Sequence, residues 1–319
     1  MIDSSLLFLS LSAYLIFLLA IAWLGGQSEE QSRFSGLARS RWVYTLSLSV
    51  YCTSWTFFGI VGSASLAGWM YLSIFWGSIL AFFFSSVLLR RMIAVKNLYR
   101  VTSIADFLSA RYFRSQRIAA LVTVMALVGV TPYIALQLKA INNSFALIAA
   151  QGDASLQSFN HWVPMLSAIF MVLFTIVFGL RHLDTTERHP GVTLAMAVES
   201  LVKLLAFVCA GLLVVFGLFD GFSDIFAQAE ALRQTDSRMA GYLSAPTFVS
   251  WVCYLLVSAS AIFFLPRQFH LAVVENANPN HVRTAQWGLP LYLFLILLFV
   301  IPISLGGLIL GYQPSEGDT

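Results

Sequence analysis

The chain has 319 residues, 59% of them hydrophobic and only 10% charged, with a mean hydropathy of +0.81. A soluble domain carries about 25% charged residues, so this composition excludes an ordinary soluble domain and describes an all-α, polytopic membrane protein. The net charge of +3 means little until its residues are placed relative to the membrane. Three cysteines, Cys52, Cys209 and Cys253, fall inside apolar runs without a CxxC spacing, a pattern that indicates neither a disulfide framework nor a zinc site.

Apolar runs long enough to span a bilayer lie near 5–24, 43–65, 69–89, 118–149, 162–180, 191–219, 247–266 and 287–311, which predicts about eight transmembrane helices. The first, Leu6 to Leu24, lacks a basic leader and has the length of a span, so it reads as a retained helix rather than a cleaved signal. With the N-terminus outside, the segments 25–42, 90–117, 181–190 and 267–286 become internal and hold fourteen of the 18 Lys and Arg residues. External segments hold Arg233 and Arg238, and Lys139 and Lys203 lie within spans. The positive-inside rule predicts this asymmetry.

The second run is unusual. From Tyr44 to Gly68, YTLSLSVYCTSWTFFGIVGSASLAG, it carries Ser47, Ser49, Thr53, Ser54, Thr56, Ser63 and Ser65, with Gly59 and Gly62 at its centre. A helix of this composition opens easily, and freed backbone survives at membrane depth only where it is buried in protein or lines a wet cavity. Transporters place substrate and ion sites at such breaks. Thr53, Ser54, Thr56, Gly59, Gly62 and Ser63 are therefore the candidate binding residues. Close helix packing uses the same small and hydroxyl-bearing side chains, and remains the alternative.

The internal segment 90–117 predicts a short amphipathic helix capped by Thr102 or Ser103, with Asp106 three residues after Ser103 and Phe107, Leu108 and Tyr112 on its apolar face. Its arginines enforce topology or hold anionic lipid. Farther on, TPYIALQLKAINNSF puts Pro132 early in a span, where a break is expected, and Lys139 deeper, with no acid at i±3 or i±4. Lys139 is thus expected to face the bundle interior and to take a partner from another helix, a carbonyl or water. Glu199 is one such partner.

Glu199 and Lys203 sit roughly 13 to 20 Å into the span that begins at Gly191, near mid-membrane. Their i, i+4 spacing lets them pair along one helical face, and burying either alone is costly. They form an ion or proton relay or a pair that fixes one helix against another. The segment 220–246 is acidic and predicts a short helix over the outer face through Phe222, Ile225, Phe226 and Leu232. The last run ends in QPSEGDT. No Walker A, GxGxxG or paired-carboxylate pattern occurs, the five histidines are scattered over loops and span ends, and RHLDTTERHP reads as a solvated internal turn, so no catalytic residue and no metal ligand is assigned.

The stretches YCTSWTFFGIVGSASLAGW, TPYIALQLKAI, FGLRHLDTTERHPGVTLAMAVESLVKLLAF and FFLPRQFHLAVVEN together resemble the sodium:solute symporter family. The likeness is closest to the symporter-like membrane domain at the N-terminus of certain bacterial sensor histidine kinases, and covers the chain from about Tyr44 onward. It implies a LeuT-like core of two inverted five-helix repeats after one extra helix. The extra helix and its loop would be 1–42, the first repeat 43–219, an external connector 220–246, and the start of a second repeat 247–319. It implies a sodium site between the broken first core helix, around Thr53 to Gly59, and a hydroxyl-bearing helix of the second repeat beyond this sequence. Sodium-coupled members carry an aspartate where this chain reads Tyr51-Cys52-Thr53-Ser54, which puts coupling to Na+ in question. Two functions are implied: a solute-sensing or transporting input module of a sensor kinase, with cytoplasmic kinase domains and a response regulator as partners, or a fragment of a stand-alone sodium-coupled transporter. Both place the chain in the inner membrane of a bacterium with a small solute, amino acids by resemblance, as ligand, and neither involves nucleic acid. Any enzymatic activity would lie in the kinase domains.

The topology is checked by cysteine labelling in intact cells. A cysteine at Ser155 is expected to label from outside, and one at Ser115 only after permeabilisation; labelling of Ser115 in intact cells would reverse the orientation.

Overall fold

The computed structural model describes residues 4–26, 33–150, 158–179, 189–235 and 247–312. In chain order its helices are α1 (Ser4–Gly25), α2 (Arg33–Ala38), α3 (Arg41–Ser47), α4 (Ile60–Ala67), α5 (Tyr71–Phe83), α6 (Ser86–Tyr99), α7 (Ile104–Arg111), α8 (Gln116–Ala150), α9 (Val163–Gly179), α10 (Pro190–Leu213), α11 (Phe222–Thr235), α12 (Phe248–Phe264), α13 (Pro266–Phe269) and α14 (His281–Ile309). No strand occurs among the described residues. The all-α, multi-pass class follows directly from the apolar runs.

Five helical stretches are long and apolar enough to cross a bilayer, and a sixth is added if the bent pair Phe248–Phe264 and Pro266–Val274 is one span. The expected run 162–180 forms the shorter apolar helix Asn160–Ile176. The runs 43–65 and 69–89 need closer inspection, because the helical stretch Trp55–Phe83 appears as one. Thr45 lies over Gly288, while the Phe83 carbonyl accepts from the Gln286 side chain. The chain from 45 to 83 therefore leaves and returns to the same end of α14. A straight Trp55–Phe83 helix would carry the chain more than about 40 Å away. The reversal falls at Gly68, whose φ of +54° closes α4 in a region that disfavours a side chain. The count of eight is reached only by taking these two arms, the bent pair and the short helix each as a span.

Packing divides the chain into two compact units that interleave in sequence: Met1–Ser40 with Val95–Ala195, and Arg41–Ala94 with Met196–Thr319. In the first unit, Phe145, Ala149 and Val163 form a small core with Leu7, Phe8 and Phe159, and the Phe8 and Phe159 rings meet edge-on at 4.8 Å. Here α7 begins as its sequence predicts: Ser103 Oγ accepts from the Asp106 N–H at 3.1 Å, and Thr102 Oγ1 donates to the Asp106 carboxylate at 2.8 Å. One expectation fails in this unit. Helix α8 runs through Pro132 without a break, as membrane helices allow when nearby groups take up the freed carbonyl. Lys139 on that helix is exposed and makes no ion pair among the described residues.

The second unit is built around α14, the most buried of the spans. Leu289, Leu293, Ile296, Val300 and Leu305 along it are fully buried. Segments α3 to α5, α10 and α11 pack on it, and α12 packs in turn on α5. The acidic segment folds as expected into α11, with Ile225 buried and Phe222 against Phe299 at 6.4 Å. Asp224 in its first turn accepts from the Gln228 side chain and the Asp220 N–H, and these bonds hold its carboxyl below the usual carboxylate range. Helices α5 and α12 approach so closely that a Cβ on Gly77 would fall onto the Leu255 carbonyl. Gly77→Ala is therefore expected to cost about 1–3 kcal/mol, because backbone cannot move aside. Gly129→Ala, in open space on α8, should change stability by less than about 0.5 kcal/mol. Melting of the purified variants in detergent measures both.

Candidate functional site: two broken helices joined at their breaks

The first break is made by hydroxyls. Ser47 Oγ donates to the Tyr44 carbonyl at 2.9 Å, taking an acceptor from the helical ladder. The chain then tightens into a 3-10 turn, Leu48–Tyr51, and Cys52 becomes extended with φ −80° and ψ +104°. Helix resumes as a wide π turn, Trp55–Gly59, before α4. The Thr53 N–H, freed by the break, donates to Thr56 Oγ1 at 3.2 Å. The chain thus opens at Cys52 and Thr53, at the leading edge of the candidate residues, and is helical again through Ser54, Thr56, Gly59, Gly62 and Ser63.

Of the six candidate binding residues, Thr56, Gly59 and Gly62 are buried, and Thr53, Ser54 and Ser63 are partly exposed. Thr56 spends its hydroxyl on the local N–H. Gly59 is required by its own turn, since a Cβ there would strike the Trp55 indole. These residues shape the restart of the helix.

The Glu199–Lys203 pair reaches this break from α10. Lys203 Nζ lies 3.0 Å from Glu199 Oε1, donates to the Cys52 carbonyl at 3.3 Å, and stands 6.0 Å from the centroid of the Phe57 ring. The predicted i, i+4 pair exists, and its ammonium also ties α10 to the opened backbone. From α14, the buried Tyr292 donates to the Ser200 carbonyl at 2.9 Å. Lys139 lies in the other unit.

A second break was not assigned from the sequence. Pro266 has no N–H to give and drives the residue before it toward extended backbone. Leu265 accordingly has ψ +126°, and the chain bends by 50° between α12 and the helical stretch Pro266–Val274. Gln268, just past this bend, donates through Nε2 to the Leu48 carbonyl of the first broken helix at 3.0 Å. Tyr44 Oη donates back to the Ala272 carbonyl at 2.8 Å. The two breaks are stitched together by these bonds. Beside them, Ser49 Oγ and Gln268 Oε1 are buried with no hydrogen-bond partner among the described residues. Tyr51 Oη meets Ser78 Oγ at 2.8 Å, Ser78 meets Ser258 at 2.6 Å, and Ser258 also bonds the Ile74 carbonyl, a hydroxyl chain linking the first break to α5 and α12.

Sequence reasoning missed Gln268, Ser49 and the Ser78–Ser258 link. The signal for Gln268 was present in LPRQFH, where a proline ends an apolar run and a polar residue follows it. For Ser49 and Ser78 no local signal separates a buried orphan from the other hydroxyls.

The chain is 22% identical over 270 residues to the "Uncharacterized symporter YodF" of Bacillus subtilis, an overlap of 84% of the chain and 50% of that protein. It is 24% identical over 275 residues to the "Uncharacterized symporter YhjB" of the same organism, an overlap of 84% of the chain and 51% of that protein. The chain is a multi-pass membrane protein with sequence similarity to two proteins named as symporters. It spans about half the length of these curated relatives. No family model matches it, and no solved structure matches it significantly.

If Glu199 and Lys203 satisfy one another as the distances indicate, Lys203→Ala strands a carboxylate and should destabilise more than Glu199→Ala combined with Lys203→Ala. Since the side chains are 38% and 25% exposed, the expected difference is about 1–2 kcal/mol rather than the value for a fully buried pair. Thermal melting near neutral pH measures it. A double variant less stable than the single would show that the pair is not the main partner of either charge.

Proposed function

We propose that this chain forms part of the membrane core of a symporter-type secondary transporter, which holds a small solute where two broken helices meet. The observation that carries the reading is the bond from Gln268 at the second break to the Leu48 carbonyl at the first. Paired interruptions in two halves of a transporter mark its solute site, because opened backbone supplies donors and acceptors at mid-membrane. Ser49 Oγ and Gln268 Oε1 are buried polar atoms of the kind a solute satisfies. Similarity to proteins named as symporters supports the same reading. Thr53, Ser54, Thr56, Gly59, Gly62 and Ser63 then form the wall of the site rather than its main polar contacts. The bilayer is the cytoplasmic membrane of a bacterium, with the arginine-rich segments inside.

The test is uptake into proteoliposomes carrying the whole protein, with a panel of radiolabelled amino acids. At least one is expected to enter saturably. Gln268→Ala should lower its uptake about tenfold or more while membrane abundance holds, since one hydrogen bond to a buried group is worth about a factor of ten. No saturable uptake for any member of the panel, or undiminished uptake in Gln268→Ala, would overturn the reading.

A second reading makes the same fold the solute-sensing input of a sensor histidine kinase. Its support is the resemblance of FFLPRQFHLAVVEN and RHLDTTERH to such membrane domains. It is decided by whether the reading frame continues past Thr319 into a phosphoacceptor histidine and an ATP-binding region.

A further inference from the structure

We infer that the ammonium of Lys203 occupies the cation position of the first helix break, so that the break carries its own positive charge and takes no free alkali cation. This rests on the reading of the break as part of a transport core. An opened helix presents carbonyl oxygen at mid-membrane, and such oxygens commonly coordinate a monovalent ion. Here the ligands that an ion would collect already converge on one point: the Cys52 carbonyl at 3.3 Å, the Glu199 carboxylate at 3.0 Å and the face of Phe57 at 6.0 Å surround Nζ. Cys52 is the residue whose extended backbone makes the break. The lysine is attached to a different helix, so it reaches the position as an ion would, from outside the broken segment.

Charge balance supports the same assignment. One carboxylate and one ammonium leave the position neutral. A sodium ion entering beside Nζ would bring a second unit charge to within about 4 Å, which at an effective dielectric constant near 20 weakens its binding roughly a thousandfold. No other acidic side chain among the described residues forms an ion pair with Lys203, so no second carboxylate offsets that repulsion. Lys139, the other cation within a predicted span, lacks this setting, being exposed and without an ion pair among the described residues. The inference thus assigns different roles to the two intramembrane lysines. Lys203 is a tethered cation, and Glu199 is its ligand rather than a relay.

The experiment uses the full chain in detergent and sodium alone as probe. Radioactive sodium binding and melting temperature are measured at constant ionic strength, with choline replacing sodium, in wild type, Lys203→Ala, Lys203→Met, Glu199→Gln and Glu199→Gln/Lys203→Ala. Wild type is expected to bind no sodium saturably up to about 100 mM and to melt identically in both salts. In Lys203→Ala the vacated space and the unpaired carboxylate should create saturable sodium binding, a gain of roughly a hundredfold or more in affinity. Lys203→Met fills that space and should not gain it, and the added Glu199→Gln change should remove it. Folding of Lys203→Ala in sodium but not in choline would support the inference equally. Saturable sodium binding by wild type that Glu199→Gln abolishes would overturn it, as would a folded Lys203→Ala protein with no sodium binding. If Lys203→Ala folds in neither salt, the comparison of wild type with Glu199→Gln decides: sodium binding lost between them overturns the inference, and indifference of both upholds it. These outcomes do not depend on solute uptake, so failure of the transport reading and failure of the tethered cation are told apart.

Discussion

The second unit depends on one constraint: backbone groups released at a helix break within a membrane must find partners in the protein, because lipid supplies none. Each unsatisfied group costs several kcal/mol, more than one break could lose from a protein of ordinary stability. The chain answers with specific side chains. The Thr53 N–H goes to Thr56, the Cys52 carbonyl to Lys203, and the Leu48 carbonyl to Gln268. None of these partners is interchangeable with a residue chosen for packing alone. The Cys52 carbonyl is met by a long side chain from a neighbouring helix, and Glu199 one turn earlier pairs with the same ammonium.

The breaks differ in cause although they meet. At the first, hydroxyls compete with the peptide for acceptors and the helix passes through 3-10, extended and π geometry in twelve residues. At the second, a single proline imposes the bend. The first break lies on the side that carries the charged pair, and the second carries the glutamine bonded to it.

Legibility followed the same division between local and long-range causes. The all-α multi-pass class, the capped helix at Ser103, the short helix of the acidic segment and an interruption of the hydroxyl-rich second run were readable, because hydropathy, capping chemistry and hydroxyl content act within a few residues. Glu199 and Lys203 were readable as a pair because i, i+4 is a local relation. Their second partner was not, since nothing in the spacing of residue 203 and residue 52 announces a contact 151 positions apart. Pro132 was misread for a related reason. Composition marks a proline as a breaker, whereas neighbours decide whether the helix continues. Pro290 and Pro302, inside the unbroken α14, make the same point from the most buried helix.

Hydroxyl-rich packing and a ligand site are often offered as rival explanations of such a stretch. Here they divide the residues between them. Ser78 and Ser258 bond each other and neighbouring backbone, so the close approach of α5 and α12 satisfies its own polar groups and leaves nothing for a ligand. Thr56 is likewise consumed locally. At the junction of the two breaks the packing leaves Ser49 Oγ and Gln268 Oε1 unsatisfied, as it also leaves Ser200 Oγ on α10. Burying a hydroxyl and an amide oxygen without partners costs on the order of 1–3 kcal/mol each. Under the proposed transport reading, a solute seated at the junction recovers that cost on binding.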